Sequence, residues 1–369
     1  NSGIQSPIKI YVSYFANSNP HVVSLFEKEK AGLTLQSFEE NEQLKEYLPS
    51  IPRVVSPTHL SKKDLEYFLK EQIQVNCATL SNLEWILEKG IKSPSIRVDL
   101  SPESNQRQGI KPDQFDDVKH LLKKHGAHLY GIHIYVGTGN DLGVHLRYQV
   151  RALECLQQFP ELEEINFGGG FKFDYEKQSH FDWNIYFNKL KINIHRYKIP
   201  KNLKISIEPG RDILADAGLL VVQVTGIEKM IGRQSFEIFT DGSYVHMPSA
   251  TLRARQHKLR FYDSKYNRIS DNILLEKAGF LSGNTTLSSD RLFPGVIYFP
   301  SSLKENYYIV LEDVGAYCAT QHMEFLNKSP CPEVLIRENG SLEIITERGK
   351  PTDKTRYVLH SPRIIWSIT

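Results

Sequence analysis

The sequence predicts an α/β chain: a (β/α)8 barrel followed by a mostly β C-terminal domain. Three observations carry this. Short runs rich in Ile, Val, Tyr and Leu alternate with amphipathic segments through the first two hundred residues, as buried parallel strands alternate with their crossover helices. The runs number eight, the count at which such units close into a barrel. After about Leu214 the rhythm changes to strands joined by turns. A doubly wound open sheet is the structural rival.

In order, the strand runs are IKIYVSYFA (8–16), LTLQSF (33–38), RVVS (53–56), QVNCATL (74–80), SIRVDL (95–100), LYGIHIYV (129–136), EINFGG (164–169) and LKISIEP (203–209). Amphipathic segments such as KKDLEYFLKEQ, SNLEWILEKG and DQFDDVKHLLKKHG lie between them. The last two close on a glycine suited to the left-handed residue after a helix, and Ser81 is the expected N-cap of the second. LLVVQVTGIEKM, QSFEIFTDG, YYIVLEDVG and SLEIITERG read as strands of the second domain. The expected division is 1–214 for the barrel and 215–369 for the β-rich part. Dividing 369 residues by roughly 150 per domain also gives about two.

The composition narrows the function classes. Lys plus Arg number 45 against 43 Asp plus Glu, a net +2, and no basic arm is visible, so a nucleic-acid partner is not expected. Four cysteines (Cys77, Cys155, Cys318, Cys331) form no CxxC pair and no zinc-spaced cluster. The expectation is no metal, no disulfide framework and a cytoplasmic protein. The longest apolar stretch, residues 218–227, is too short for a bilayer and includes Gln223 and Thr225, so no membrane partner is expected.

Barrel chemistry gathers at the C-terminal ends of the strands. Strand 7 ends in Gly168-Gly169-Gly170, where bare backbone N–H groups can meet an anion and a following helix N-terminus would add its dipole; a plain turn is the simpler reading. Strand 8 ends in Glu208-Pro209-Gly210-Arg211, opposite charges beside a turn that either hold a ligand or bridge one another. On strand 6, His133 and Tyr135 share one face by alternation, although a lone His there is more often a core residue. Glu312-Asp313-Val314-Gly315-Ala316-Tyr317 closes an apolar strand with two acids and an aromatic hydroxyl, or forms a hairpin with a buried Tyr.

Together these pieces resemble the fold-type III pyridoxal-phosphate decarboxylases, the ornithine/diaminopimelate/arginine decarboxylase family with its alanine-racemase-like barrel. YFANSNPHV resembles that family's AVKANPNP segment, RQGI (107–110) its RFGI, and GIHIYVGTG its HxHxGS. INFGGGF, EPGRDILADAG, DGSYVHMPSA and EDVGAYC resemble its glycine loop, EPGR motif, β-domain start and GAY motif. The resemblance runs over nearly the whole chain. It implies pyridoxal 5′-phosphate as cofactor, with Gly168, Gly169, Gly170, Arg211 and the Tyr317 hydroxyl around its phosphate and Glu208 facing the ring nitrogen. It also implies a small amino-acid-derived substrate, a carboxy-lyase activity and a homodimer with shared active sites. A racemase is disfavoured because EPGR and GAY belong to the decarboxylase branch.

The chain departs from the pattern at chemistry-bearing positions. Phe15 stands where the family has the lysine that binds the cofactor covalently. Tyr135 replaces the histidine that stacks on the cofactor ring. In SGNTTLSSD (282–290), which resembles the GPxCxxxD loop donated by the partner subunit, Thr286 replaces the cysteine, Asp290 keeps the later acid and Leu287 takes the place of an acid that reads a distal amine. Thr286, Asp290 and Tyr135 are therefore the candidate catalytic residues. The expectation divides between a decarboxylase with atypical positions and a catalytically inactive homologue serving as a binding or regulatory partner. Lys172 is the nearest alternative amine by sequence, though a solvated loop lysine is the simpler reading. Family members usually carry a helix and a strand before the first barrel strand, which here begins near Ile8, implying a trimmed N-terminus or a differently built second domain.

Overall fold

Eight parallel strands close into a barrel in sequence order. In the computed structural model they are β1 (Ile8–Ser13), β2 (Gly32–Leu35), β3 (Arg53–Val55), β4 (Gln74–Cys77), β5 (Ser95–Val98), β6 (Gly131–Ile134), β7 (Glu164–Asn166) and β8 (Lys204–Ile207), and β8 pairs back onto β1. The structure describes residues 4, 6–101, 109–269, 276–350 and 352–353. Each strand is shorter than its apolar run because pairing stops where the chain turns out at the barrel mouth. Alternation sorts the side chains. Leu33, Leu35, Val75, Ile96, Ile132, Ile134, Ile165 and Ile207 are buried on the helix-facing side, while the residues between them point into the barrel. The open-sheet alternative is thereby excluded.

The helices are α1 (Pro20–Lys28), α2 (Phe38–Tyr47), α3 (Lys62–Lys70), α4 (Leu80–Glu88), α5 (Phe115–Lys124), α6 (Leu142–Leu156), α7 (Trp183–Arg196) and the single turn α8 (Arg211–Leu214). Most have a side-chain cap on an orphan N–H of the first turn: Asn19, Ser37, Ser61, Thr79, Asp141 and Asp182. The expected cap Ser81 is corrected to Thr79. Thr79 leaves β4 in an extended conformation (φ −135°, ψ 151°) and accepts from the Asn82 N–H, so Ser81 falls inside the helix. Gly90 and Gly126 do follow α4 and α5 at positive φ.

The chain separates into two compact units, Asn1–Gly218 and Leu219–Thr369. The second is built on a six-stranded sheet in the order β11-β14-β9-β10-β12-β13. These are β9 (Leu220–Lys229), β10 (Ser235–Thr240), β11 (Leu259–Tyr262), β12 (Lys277–Ser282), β13 (Ile297–Phe299) and β14 (Tyr308–Leu311), and β15 (Glu333–Ile336) forms a hairpin with β16 (Leu342–Thr346). Val222, Val224, Ile238, Leu281, Phe299, Ile309 and Leu311 form its core. Among the described residues no helix is long and apolar enough to cross a membrane.

Candidate active site at the barrel mouth

The mouth is organised around one buried carboxylate. Glu208 follows β8 and is 5% exposed. Its Oε1 accepts from Ser56 Oγ (2.9 Å) and Asn166 Nδ2 (2.8 Å), and its Oε2 lies 3.2 Å from His133 Nε2. Ser56 follows β3, so its bond to Glu208 crosses the barrel between strands that are not neighbours. Asn76 Nδ2 donates to Ser56 Oγ (2.9 Å), and the buried Arg97 donates from Nη1 to the Ser56 carbonyl (2.6 Å). Burial pushes the Glu208 carboxyl up, but the His133 charge and the bonds from His133, Ser56 and Asn166 outweigh it and leave its pKa below the ordinary value. The acid is held ionised and aimed.

The glycine triplet lies directly over this network. Gly168 (φ +63°) donates to Asn166 Oδ1 (2.8 Å), and its carbonyl accepts from the Glu208 N–H (2.7 Å). A Cβ on Gly168 would stand 2.0 Å from the Ile134 carbonyl oxygen; on Gly169, 2.4 Å from that of Glu208; on Gly170 (φ +92°), 1.9 Å from that of Gly137. Only glycine fits. Among the described residues the N–H groups of Gly169 and Gly170 carry no hydrogen bond, and so offer two donors to an anion. The expected helix N-terminus after the triplet is corrected. Residues 171–182 intervene because Phe171, Phe173 and Phe181 are buried, with His145 of α6 stacked on Phe171 at 4.3 Å.

Arg211 opens α8, and its Nη1 donates to the Tyr175 hydroxyl (3.1 Å). The next residue, the fully buried Asp212, accepts from the Phe181 N–H (2.6 Å) and Trp183 Nε1 (2.7 Å), which ties α8 to the 181–183 segment. On the other side of the turn, Glu208 bonds to His133, Ser56 and Asn166.

Tyr135 directly follows β6, two residues beyond His133. Arg97 lies over its ring at 4.7 Å, a cation–π contact, and its hydroxyl shares a 2.6 Å bond with Thr138 Oγ1. Phe15 lies two residues beyond β1 in a 3-10 turn, half-buried between the buried Tyr14 and Ala16. Ser13 ties this turn to β8 through bonds from its N–H to the Pro209 carbonyl (2.9 Å) and from Oγ to the Glu208 carbonyl (3.2 Å). The barrel strands contain two lysines, Lys9 and Lys204, both toward the end opposite the mouth. Lys172 is half-exposed and paired to Asp174 at 2.9 Å, a solvated loop lysine.

In the second unit Asp290 is 2% exposed. Its carboxylate accepts from the Tyr244 N–H and the Thr285 N–H, both at 2.8 Å, so it closes the 283–290 loop and leaves Thr286 and Leu287 exposed at the tip. The 312–317 segment is a loop and not a hairpin. β14 pairs with β9 and β11, and the chain then turns through Asp313 and Tyr317 at φ +62° and +60°, conformations that non-glycine residues adopt at a cost. Of RQGI, Arg107 and Gln108 lie outside the described residues; the Ile110 N–H donates to the Arg97 carbonyl (2.8 Å) and its carbonyl accepts from the Asp99 N–H (3.0 Å).

Sequence reasoning missed Ser56, Asn76, Arg97, Asn166, Tyr175 and Asp212. Alternation could have flagged Asn76, Arg97 and Asn166 as polar side chains on inward positions of otherwise apolar strands.

The family described as "Pyridoxal-dependent decarboxylase, pyridoxal binding domain" matches residues 4–215. Diaminopimelate decarboxylase of Escherichia coli (strain K12) is 26% identical over 321 residues, 78% of this chain and 73% of that protein. The 2-[(L-alanin-3-ylcarbamoyl)methyl]-2-hydroxybutanedioate decarboxylase of Staphylococcus aureus is 24% identical over 365 residues, 90% of this chain and 89% of its own. Among solved structures, diaminopimelate decarboxylase from Helicobacter pylori complexed with L-lysine superposes with a TM-score of 0.82 at 19% identity, covering 96% of this chain and 91% of that one, which establishes the shared fold.

Proposed function

The chain belongs to the pyridoxal-dependent decarboxylase family, and from that premise we propose that its barrel mouth binds pyridoxal 5′-phosphate without a covalent bond at position 15. The observation that carries this is the glycine cradle with two unbonded N–H groups, set over an aimed, ionised Glu208. These residues fit the group. Gly168, Gly169, Gly170 and Arg211 hold the phosphate, Glu208 holds a proton at the ring nitrogen, and Tyr135, braced by Arg97, lies against the ring. When bound, the cofactor supplies an electron sink for the carbanion left by departing CO₂. Phe15 cannot supply the amine that fixes the aldehyde, and the lysines of the barrel strands sit at the far end.

The reaction this arrangement supports is decarboxylation of an amino acid or amino-acid-derived substrate that brings its own amine to the cofactor. Thr286 and Asp290, supplied by a second copy, complete the mouth: Asp290 shapes the loop and Thr286 presents its hydroxyl. The second reading, a non-catalytic binding or regulatory partner, rests on the resemblance: Phe15, Tyr135 and Thr286 align with a lysine, a histidine and a cysteine of the family, whereas the residues aligned with its phosphate site are kept.

Two expected outcomes test this reading. Arg211→Ala removes a charge-assisted contact worth about 1.5–3 kcal/mol, so calorimetry with pyridoxal phosphate gives markedly weaker binding than wild type; equal affinity contradicts the cup. Light scattering at micromolar concentration gives the mass of a dimer, and a monomer removes Thr286 and Asp290 from the site while leaving the barrel reading intact.

A further inference from the structure

His133 reads in the sequence as a core histidine, yet its surroundings are those of a working group. It is 1% exposed. Its Nε2 is 3.2 Å from Glu208 Oε2, and among the described residues Nδ1 is buried with no hydrogen-bond partner. A buried polar atom left without a partner is costly, and an apolar residue in this barrel would avoid the cost. The two oxygens of Glu208 are also unequal. Oε1 already accepts twice, from Ser56 and Asn166, whereas among the described residues Oε2 meets His133 alone. A carboxylate oxygen has two lone-pair sites, so Oε2 has one left to offer. The imidazole also sits under the glycine loop, Nε2 lying 3.3 Å from the point where a Cβ on Gly168 would be. The other groups whose charge reaches Glu208 are Arg97 on β5 and Tyr11 on β1.

We propose that His133 is a positioning residue: by donating to Oε2 it keeps Glu208 ionised and turned so that the remaining lone pair meets a ring nitrogen over the mouth. This rests on the reading of the mouth as a pyridoxal phosphate site. It does not depend on Phe15, since the ring nitrogen lies on the opposite side of the ring from the aldehyde carbon.

The probe is 4′-deoxypyridoxine 5′-phosphate, which has no aldehyde and reports ring protonation by absorbance, in buffer near the pKa of its own ring nitrogen. Wild type binds it in the ring-protonated form. His133→Phe keeps a flat ring without the donor, and shifts the bound probe toward the neutral form with about tenfold weaker binding, the scale of one lost bond to a charged group. His133→Gln, which retains an N–H donor, restores the wild-type spectrum. His133→Met serves if the Phe variant does not fold, with the same shift expected. An unchanged spectrum and affinity in the donor-less variant overturn the role of His133 alone. Failure of the probe to bind wild type overturns the site reading and the proposal with it.

Discussion

Phe15→Lys gains a borohydride-reducible bond to pyridoxal phosphate where wild type has none. The introduced amine leaves the 3-10 turn that follows β1, at a rim tied to Glu208 and Pro209 through Ser13. Phe15 is half-buried, and an amine in that setting loses part of its hydration. Desolvation favours the neutral, nucleophilic form. Peptide mapping after reduction finds the cofactor on the peptide containing position 15 in the variant and no modification of residues 8–20 in wild type. Decarboxylase activity is expected to stay at the wild-type level, because Tyr135 and Thr286 are unchanged in this variant. A variant that binds the cofactor yet gives no adduct at position 15 shows that another residue occupies the family's lysine position.

Gly170→Ala unfolds the barrel more easily, by on the order of 3–5 kcal/mol in chemical denaturation. Two costs combine there. The backbone sits at φ +92°, which alanine resists, and the new Cβ would lie 1.9 Å from the Gly137 carbonyl oxygen. Gly90 separates them. It has nearly the same φ, +89°, but a Cβ there meets nothing within 4 Å, so Gly90→Ala carries the backbone cost alone, about 1–2 kcal/mol. Equal costs at the two positions would mean that the loop over Glu208 gives way freely, and a yielding loop is a poor phosphate cradle.

The barrel was legible because its strands are buried on both faces and its helices are amphipathic, so both periods show in the residues themselves. Short strands of the second unit were harder to read. β11 (LRFY), β12 (KAGFLS) and β15 (EVLI) mix apolar and charged residues over four to six positions, as half-solvated antiparallel strands do, and no contrast remains at that length. Glu208 and Arg211 stand out through their tetrapeptide. The residues that aim them do not, because those contacts join distant parts of the chain: Ser56 reaches Glu208 across 152 residues and Asn166 across 42. The helix expected after the glycines failed for a related reason. Phe171 and Phe181 form a buried aromatic cluster whose partners on α6 and α7 lie outside any local window. Asp290 was singled out by its motif, but its partners were not legible: its carboxylate accepts from the Thr285 N–H of its own loop and from the Tyr244 N–H, 46 residues away.

The central claim is that a cofactor cup has been kept while its covalent anchor has not. Its most direct test is the intact mass of wild-type protein saturated with pyridoxal phosphate, with half the sample treated with borohydride before denaturation and half left untreated, and with binding measured in parallel by absorbance. The account predicts saturable binding and one unmodified mass in both halves. A stoichiometric gain of one pyridoxyl phosphate per chain in the reduced half would show a lysine joined to the cofactor, and would contradict it.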